Sequence, residues 1–150
     1  MLRLSKKVEY GLMAVLRMDA EGHGQPLSAK DLAEQQALPA ELLGKVLQAL
    51  ARTGVIVSAH GAHGGYRLAR PLETISLGEM VEAIDGPVRL VKCQDDPCAC
   101  DLHDGCTIRD PVMRIQQQLL QYLFSFNLAD FRSTTHGRAR WPNAPSIGIK

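Results

Sequence analysis

Residues 27–70 read LSAKDLAEQQALPAELLGKVLQALARTGVIVSAHGAHGGYRLAR, and they carry the clearest signals of secondary structure in the chain. Ser28 predicts the cap of a short helix that ends near Gln36, because its hydroxyl can accept from a first-turn amide. Pro39 suits the first turn of a second helix, and Gly54 predicts its end. The β-rich VIVS and the run YRLA then read as two strands joined by a glycine-rich turn. This order of elements is typical of a winged helix-turn-helix.

Helical patterns flank this stretch on both sides. Before it, Ser5 predicts the cap of a first helix, and apolar residues at helical spacing continue that helix to about Glu21. After it, Ser76 and Glu79 form a capping-box pattern that begins a short helix, and the run Asp85-Gly86-Pro87 ends it. The sequence therefore predicts a mostly α fold, with a winged helix-turn-helix DNA-binding domain over residues 1–87.

Two further segments follow the predicted domain. Residues 88–107 show no periodicity and hold all four cysteines. Residues 108–132 predict a long C-terminal dimerisation helix, packed on its twin and on the first helix of either subunit. Its apolar seam has spacings of 4, 3, 4, 3 and 4: Ile108, Val112, Ile115, Leu119, Tyr122 and Phe126. We therefore expect a homodimer, and a disordered basic tail over residues 133–150.

Composition narrows the class of protein. The 150 residues are 45% hydrophobic and 22% charged, with no apolar run near the length of a membrane span. The N-terminal residues lack the apolar stretch of a secretory signal, so we expect a cytoplasmic protein with no membrane association. A nucleophile with its base, a phosphate-binding loop and an open metal site are not recognisable, so the sequence does not indicate an enzyme.

The second helix of the motif is expected to enter the major groove of double-stranded promoter DNA, with its first turn facing base edges. Backbone amides near the start of this helix, together with the wing, would contact phosphates. The expected DNA-contacting residues are Ser28, Lys30, Pro39, Ala40, Glu41, Lys45, His60, His63, Gly64, Tyr66 and Arg67. Arg52 and Arg70 are further candidates for neutralising phosphates. A protein-binding module with the same layout is the alternative interpretation.

The segment CQDDPCACDLHDGC places Cys93, Cys98, Cys100 and Cys106 within fourteen residues. In a reducing compartment such cysteines indicate metal ligands or redox thiols rather than structural disulfides. Soft thiolates suit an iron-sulfur cluster, and a loop can wrap one. Zinc is the competing interpretation, although the close C-x-x-C pairs that are typical of such zinc sites do not occur.

Several segments together resemble the IscR/NsrR-type (BadM-like) family of bacterial winged-helix regulators with an iron-sulfur cluster. The resemblance rests on LSKKVEYGLMAVLRM, the wing GAHGGYRLAR, ISLGEMVEAIDGP and the cysteine loop, and extends to about Arg132. It implies a homodimer that binds a pseudo-palindromic operator. One departure is the wing, where His60-Gly61-Ala62-His63 replaces the family's frequent Arg-Gly-Pro. This replacement predicts a weaker or pH-sensitive contact with DNA.

The same resemblance implies ligand roles for Cys93, Cys100 and Cys106. Glu9 of the partner subunit stands where one branch of the family completes the coordination. Another branch uses a histidine where this chain has Arg109. Cys98 remains an alternative ligand, a fourth thiolate or a resolving thiol.

The implied function is transcriptional regulation in response to redox state, nitric oxide or iron-sulfur status. The cluster type, 2Fe-2S or 4Fe-4S, stays open. Two alternatives also stay open: a zinc-stabilised protein-interaction module and a cluster-free, thiol-based regulator.

Overall fold

The structure is a computed structural model that describes residues 3–61, 64–91 and 105–134. It confirms a mostly helical chain with a two-stranded wing and a C-terminal helix. The elements, in chain order, are α1 (Lys6–Glu21), α2 (Ala29–Gln35), α3 (Ala40–Arg52), β1 (Ile56–Ala59), β2 (Gly65–Leu68), a 3-10 turn (Leu72–Thr74), α4 (Leu77–Asp85), α5 (Arg109–Ser125) and a 3-10 helix (Leu128–Thr134).

Three serine side chains cap helices at the predicted positions. The Ser5 hydroxyl accepts from the Val8 amide at 3.2 Å, and the Ser28 hydroxyl accepts from the Asp31 amide at 3.0 Å. Ser76 takes part in a complete capping box with Glu79. Each cap satisfies an amide that the first helical turn leaves without a backbone partner, so these serines fix where the helices begin.

The core of the head, which we define as residues 3–61 and 64–87, lies between α1, α3 and α4. α1 crosses α4 closely at Gly11, where an added Cβ would lie 2.6 Å from Cδ1 of Ile84. The largest fully buried side chains are Leu32, Leu43, Leu47, Leu50, Ile56, Leu72, Ile75, Met80, Leu128, Val8, Val15 and Val46. Leu128 therefore belongs to this core although it lies beyond the predicted 1–87 range.

The wing is an antiparallel hairpin that is bound to the segment before α2. β1 and β2 pair from Ile56 opposite Leu68 to Ala59 opposite Gly65. Leu27 and Tyr66 exchange two backbone hydrogen bonds, at 2.9 and 2.8 Å. A Cβ on Gly65 would lie 2.4 Å from the Leu27 carbonyl oxygen, so this close approach requires glycine. The wing and the start of α2 are thus joined through their backbones.

The C-terminal helix is shorter than predicted: α5 ends at Ser125, whereas the sequence predicted a helix to residue 132. Phe126 adopts an extended conformation, and its carbonyl accepts from the Leu77 amide at 2.8 Å. Asn127 forms an isolated antiparallel bridge with Ser76. The chain then enters the 3-10 helix, whose last two residues are the first two of the predicted tail, and residues 135–150 lie outside the described part. Docking of residues 126–128 onto the head ends α5 early.

Arg132 ties the end of this segment to α1. Its guanidinium donates to both carboxylate oxygens of Asp19, at 2.6 and 2.7 Å, and to Glu73. Hydrogen bonds from the guanidinium first to Asp19 and then to Glu73 raise the pKa of Arg132 above its ordinary value. The C-terminal segment is therefore attached to the head by buried apolar and surface ionic contacts.

α5 packs on α4 within the chain, and three of the six residues of its predicted seam are exposed. Ile108 is 62% exposed and Ile115 is 56% exposed, and the Tyr122 side chain is also exposed. α4 rather than α1 is the main intrachain neighbour of α5. Among the described helices none combines the length and apolar character that a bilayer span requires.

Candidate nucleic-acid interface and cysteine segment

α3 has a buried face and an open face, as a reading helix requires. Leu43 and Leu47 are fully buried against the core, whereas Glu41 and Lys45 are exposed. Pro39 precedes the first turn and provides no side-chain cap. The first turn of α3 therefore presents its backbone amides and the side chains of residues 40 and 41 to the surroundings.

Glu41 and Lys45 form an ion pair on the open face of α3. Lys45 Nζ lies 2.8 Å from Glu41 Oε1. This hydrogen bond and, second, the opposite charge lower the pKa of Glu41 and raise the pKa of Lys45. Both side chains are thus ionised at neutral pH, and they hold an acceptor beside a donor.

The start of α2 contributes one helix-capping residue, Ser28, and one charged residue, Lys30. The Ser28 hydroxyl is occupied by the Asp31 amide. Lys30 is exposed and forms a loose pair with Glu34, with 3.8 Å between Nζ and Oε1. Ser28 therefore shapes the helix start, while the Lys30 ammonium remains accessible to an anion.

The predicted DNA-contacting residues of the wing differ in their exposure to solvent. Arg67 and His60 are exposed, and the Gly64 amide donates to the Gly61 carbonyl at 3.0 Å to close the turn. Tyr66 is partly buried and packs against the core. His63 lies outside the described residues. The cationic side chain that the described wing offers to a phosphate is Arg67.

Arg70 is engaged within the chain. Its guanidinium donates to Glu79 at 2.5 Å and to the Thr74 carbonyl. Desolvation of Glu79 raises its pKa, but hydrogen bonds from the Ser76 amide and from Arg70 outweigh it, so the net pKa is lowered. Arg70 therefore joins the wing to the capping box of α4, and its phosphate contact stays a prediction.

The cysteine segment is described only at its end. Cys93, Cys98 and Cys100 lie outside the described residues. Cys106 is half-buried, is not part of a disulfide within the described chain, and lies just before α5 begins at Arg109. Within the described ranges, which contain this one cysteine, no group of three or more His, Cys, Asp or Glu side chains is placed to hold a metal ion.

Glu9 lies in the first turn of α1 with its carboxylate near solvent. Lys6 Nζ is 2.6 Å from Glu9 Oε2, in a pair whose two side chains are both exposed. Exposed pairs of this kind contribute little to stability and exchange readily with other partners. Glu9 is therefore accessible from outside its own subunit.

Sequence reasoning missed two features of this region. Gly44 lies on the open face of α3. The sequence could have indicated it, because a glycine in the middle of a predicted helix is unusual. Gln116 is buried in α5, where its Oε1 accepts from the Leu90 amide at 3.0 Å. The seam pattern concealed Gln116, because only apolar spacings were considered.

Comparison with known proteins identifies a family of transcriptional regulators. Residues 4–134 match the family model of Rrf2, described as an iron-dependent transcriptional regulator. Protein rrf2 of Nitratidesulfovibrio vulgaris strain Hildenborough is 32% identical over 129 residues, which cover 86% of each chain.

Solved structures agree in sequence and in fold. CymR (YrzC), the global cysteine regulator of B. subtilis, is 27% identical with a TM-score of 0.66, over 90% of this chain and 99% of its own. T. potens IscR is 25% identical with a TM-score of 0.62, over 87% and 86%. The oxidised form of Staphylococcus aureus CymR is 27% identical with a TM-score of 0.60, over 85% and 93%. The chain therefore belongs to the Rrf2 family of DNA-binding, winged-helix transcriptional regulators, which are not enzymes.

Proposed function

We propose that this regulator binds promoter DNA as a homodimer and senses redox state, nitric oxide or iron-sulfur status through an iron-sulfur cluster held by Cys93, Cys100 and Cys106. The observation that carries the sensing half is the place of Cys106. It directly precedes α5, which packs on α4 and whose C-terminal extension enters the core of the head. A change at the cysteine segment thus has a mechanical route to the DNA-binding surface.

The proposed DNA contacts divide into two kinds. The first turn of α3, with Pro39, Ala40 and Glu41, faces base edges, and Lys45 follows one turn later. The start of α2 with Ser28 and Lys30, and the wing residues His60, His63, Gly64, Tyr66 and Arg67, lie along the phosphate backbone or the minor groove. The exposure of Lys30, Lys45 and Arg67 supports this division.

The donor set fits an iron-sulfur cluster. Thiolates are the usual ligands of such clusters, and half-burial of Cys106 would protect the bound group from solvent. Glu9 of the partner subunit is the proposed additional ligand, and Cys98 is the alternative. When bound, the cluster supplies a centre that can be oxidised or attacked by small molecules.

The homodimer is supported by the outward apolar residues of α5. Ile108, Ile115 and Tyr122 would be covered by the same helix of a second copy, because large exposed apolar surfaces on a monomer mark interaction sites. A two-fold dimer would also bring Glu9, on α1 of one subunit, within reach of the cysteine segment of the other subunit.

The test is anaerobic purification followed by quantitation of iron and inorganic sulfide. We expect visible absorption that is lost in Cys93→Ala, Cys100→Ala and Cys106→Ala, and altered in Glu9→Ala. Cys98→Ala distinguishes the two ligand sets, because it should keep the cluster if Glu9 rather than Cys98 completes the coordination. Oxygen-protected protein that carries neither iron nor sulfide would refute the cluster, and zinc in its place would support a zinc-stabilised module.

Promoter binding is tested separately with the same preparation. We expect an affinity for duplex DNA that falls steeply as the salt concentration rises. An unchanged spectrum and an unchanged DNA affinity in Glu9→Ala would exclude the proposed role of Glu9.

A cluster-free, thiol-based regulator is the second candidate. It is favoured by the likeness to Staphylococcus aureus CymR, of which an oxidised form has been solved. This candidate predicts colourless protein whose DNA affinity changes with peroxide and recovers with a thiol reductant. Loss of that response in Cys98→Ala would then identify the resolving thiol.

A further inference from the structure

The open face of α3 contains a glycine, Gly44, that no contact within the described part of the chain explains. Gly44 lies three residues after Glu41 and directly before Lys45, on a helix whose other side is buried. Glycine in a helix interior is less stable than alanine, because the unfolded backbone loses more freedom on folding. A Cβ built on Gly44 would have nothing within 4 Å among the described residues. Packing within the chain therefore does not explain this glycine.

The other helical glycines of the described chain have internal explanations. A Cβ on Gly11 would lie 2.6 Å from Ile84, and a Cβ on Gly78 would lie 2.6 Å from the ring of Phe124. Both glycines allow helices to approach each other. By the same logic, Gly44 allows something outside the chain to approach α3.

The flanking ion pair indicates what approaches. Glu41 and Lys45 have side chains 86% and 70% exposed, so both project from the surface while Nζ and Oε1 remain 2.8 Å apart. In the major groove, a G·C pair presents the cytosine amino donor beside guanine O6, with guanine N7 as a second acceptor. That donor and O6 are also roughly 2.9 Å apart, the usual length of an N–H···O bond. The two pairs are complementary in charge and in spacing.

We infer that Glu41 and Lys45 read one G·C base pair of an operator half-site, and that Gly44 provides the clearance for α3 to reach it. A Glu41 oxygen accepts from the cytosine amino group, and Lys45 Nζ donates to guanine O6 and N7. The inference rests on the proposed entry of α3 into the major groove, and it adds the base pair that is recognised.

An A·T pair matches this arrangement less well. It also offers a donor beside an acceptor, at adenine N6 and thymine O4. However, adenine N7 flanks the donor and repels the Glu41 carboxylate, while the thymine methyl group flanks the acceptor and obstructs Lys45. The G·C pair therefore has the better fit to both residues.

The experiment is selection from a library of duplexes with a randomised central segment, using the full-length protein purified anaerobically. The unsubstituted chain should select sites with one strongly preferred G·C pair in each half. In Glu41→Ala and Lys45→Ala, the preference for G·C over the other base pairs should fall by about tenfold at this position and at no other. Glu34→Ala is the matched control, because it removes an exposed i,i+4 pair from α2 and should leave every position unchanged.

Gly44→Ala tests the clearance. This substitution should raise Tm, because alanine favours the helix, and should weaken binding to the selected duplex several-fold. A Tm that rises while the affinity stays unchanged would overturn the role of Gly44.

Two outcomes separate this inference from the proposed function. If the unsubstituted chain selects no sequence, α3 does not read DNA and the proposed function itself fails. If it selects a site and Glu41→Ala and Lys45→Ala retain every base preference, only the present inference is overturned.

Discussion

The backbone amide of Leu90 donates a hydrogen bond to the side-chain oxygen of Gln116, with 3.0 Å between nitrogen and Oε1. Leu90 lies in the segment that leads from α4 into the cysteines, and Gln116 is the buried residue of α5. This contact joins the two chain segments on either side of the cysteine loop.

Replacing Gln116 tests how firmly the entrance to the cysteine segment is held. Gln116→Leu keeps a similar volume but removes the oxygen that accepts from the partly buried Leu90 amide, so we expect a loss of about 1 kcal/mol in the free energy of unfolding. Hydrogen exchange at the Leu90 amide should accelerate. The exposed neighbour supplies the control, and Gln117→Leu should change stability by less than about 0.5 kcal/mol. Equal exchange rates in both variants would contradict the assigned contact.

Leu128 tests the attachment of the C-terminal segment. Its side chain is fully buried in the core, and its amide donates to the Ile75 carbonyl at 2.9 Å. Leu128→Ala should lower the free energy of unfolding by about 2 to 5 kcal/mol, because the cavity would open inside the head. Chemical denaturation measures the loss. Leu4→Ala, at an exposed leucine, should cost far less, and a similar cost at both sites would disagree with the observed burial.

Gly65 tests the backbone bridge between the wing and the start of α2. In Gly65→Ala the new methyl group would meet the Leu27 carbonyl oxygen at 2.4 Å, so we expect a destabilisation of about 1 to 3 kcal/mol and weaker DNA binding. Gly105→Ala is the matched control for stability, because a Cβ there meets nothing within 4 Å among the described residues. A fully stable Gly65→Ala protein with unchanged DNA affinity would show that the wing does not depend on this approach.

Glu79 gives the fold a pH dependence in the acid range. Its pKa in the folded chain is below the ordinary value of 4.5, since hydrogen bonds from Ser76 and Arg70 outweigh desolvation. The ionised carboxylate therefore stabilises the fold above pH 4.5, and this contribution is lost as the pH falls through the folded pKa. Glu79→Gln should be less stable than the unsubstituted chain at neutral pH, and the difference should shrink towards about pH 3. Denaturation at both pH values measures it, and a constant difference would exclude this linkage.

Local patterns predicted the helix starts well. Ser5, Ser28 and Ser76 were recognised because a cap depends on residues within one turn of each other. The layout of three helices and a hairpin followed from spacing and turn residues for the same reason, and the family resemblance agreed with it.

Contacts between distant residues were not predictable in the same way. The seam pattern continues to Phe126, but the helix ends one residue earlier because Phe126 and Asn127 pair with the start of α4. Arg70 looked free to bind phosphate, and only the folded chain brings Glu79 to it. Both outcomes depend on which segments meet in three dimensions, and no local spacing encodes that.

The burial of Leu128 also governs when the head can form during synthesis. This residue completes a core built mainly from α1, α3 and α4, yet it is translated after the cysteine segment and after α5. A core closes only after its residues have left the ribosome. A nascent chain arrested before residue 128 therefore lacks part of the core of its head, and each finished head is released already joined to the segment that carries the cysteines.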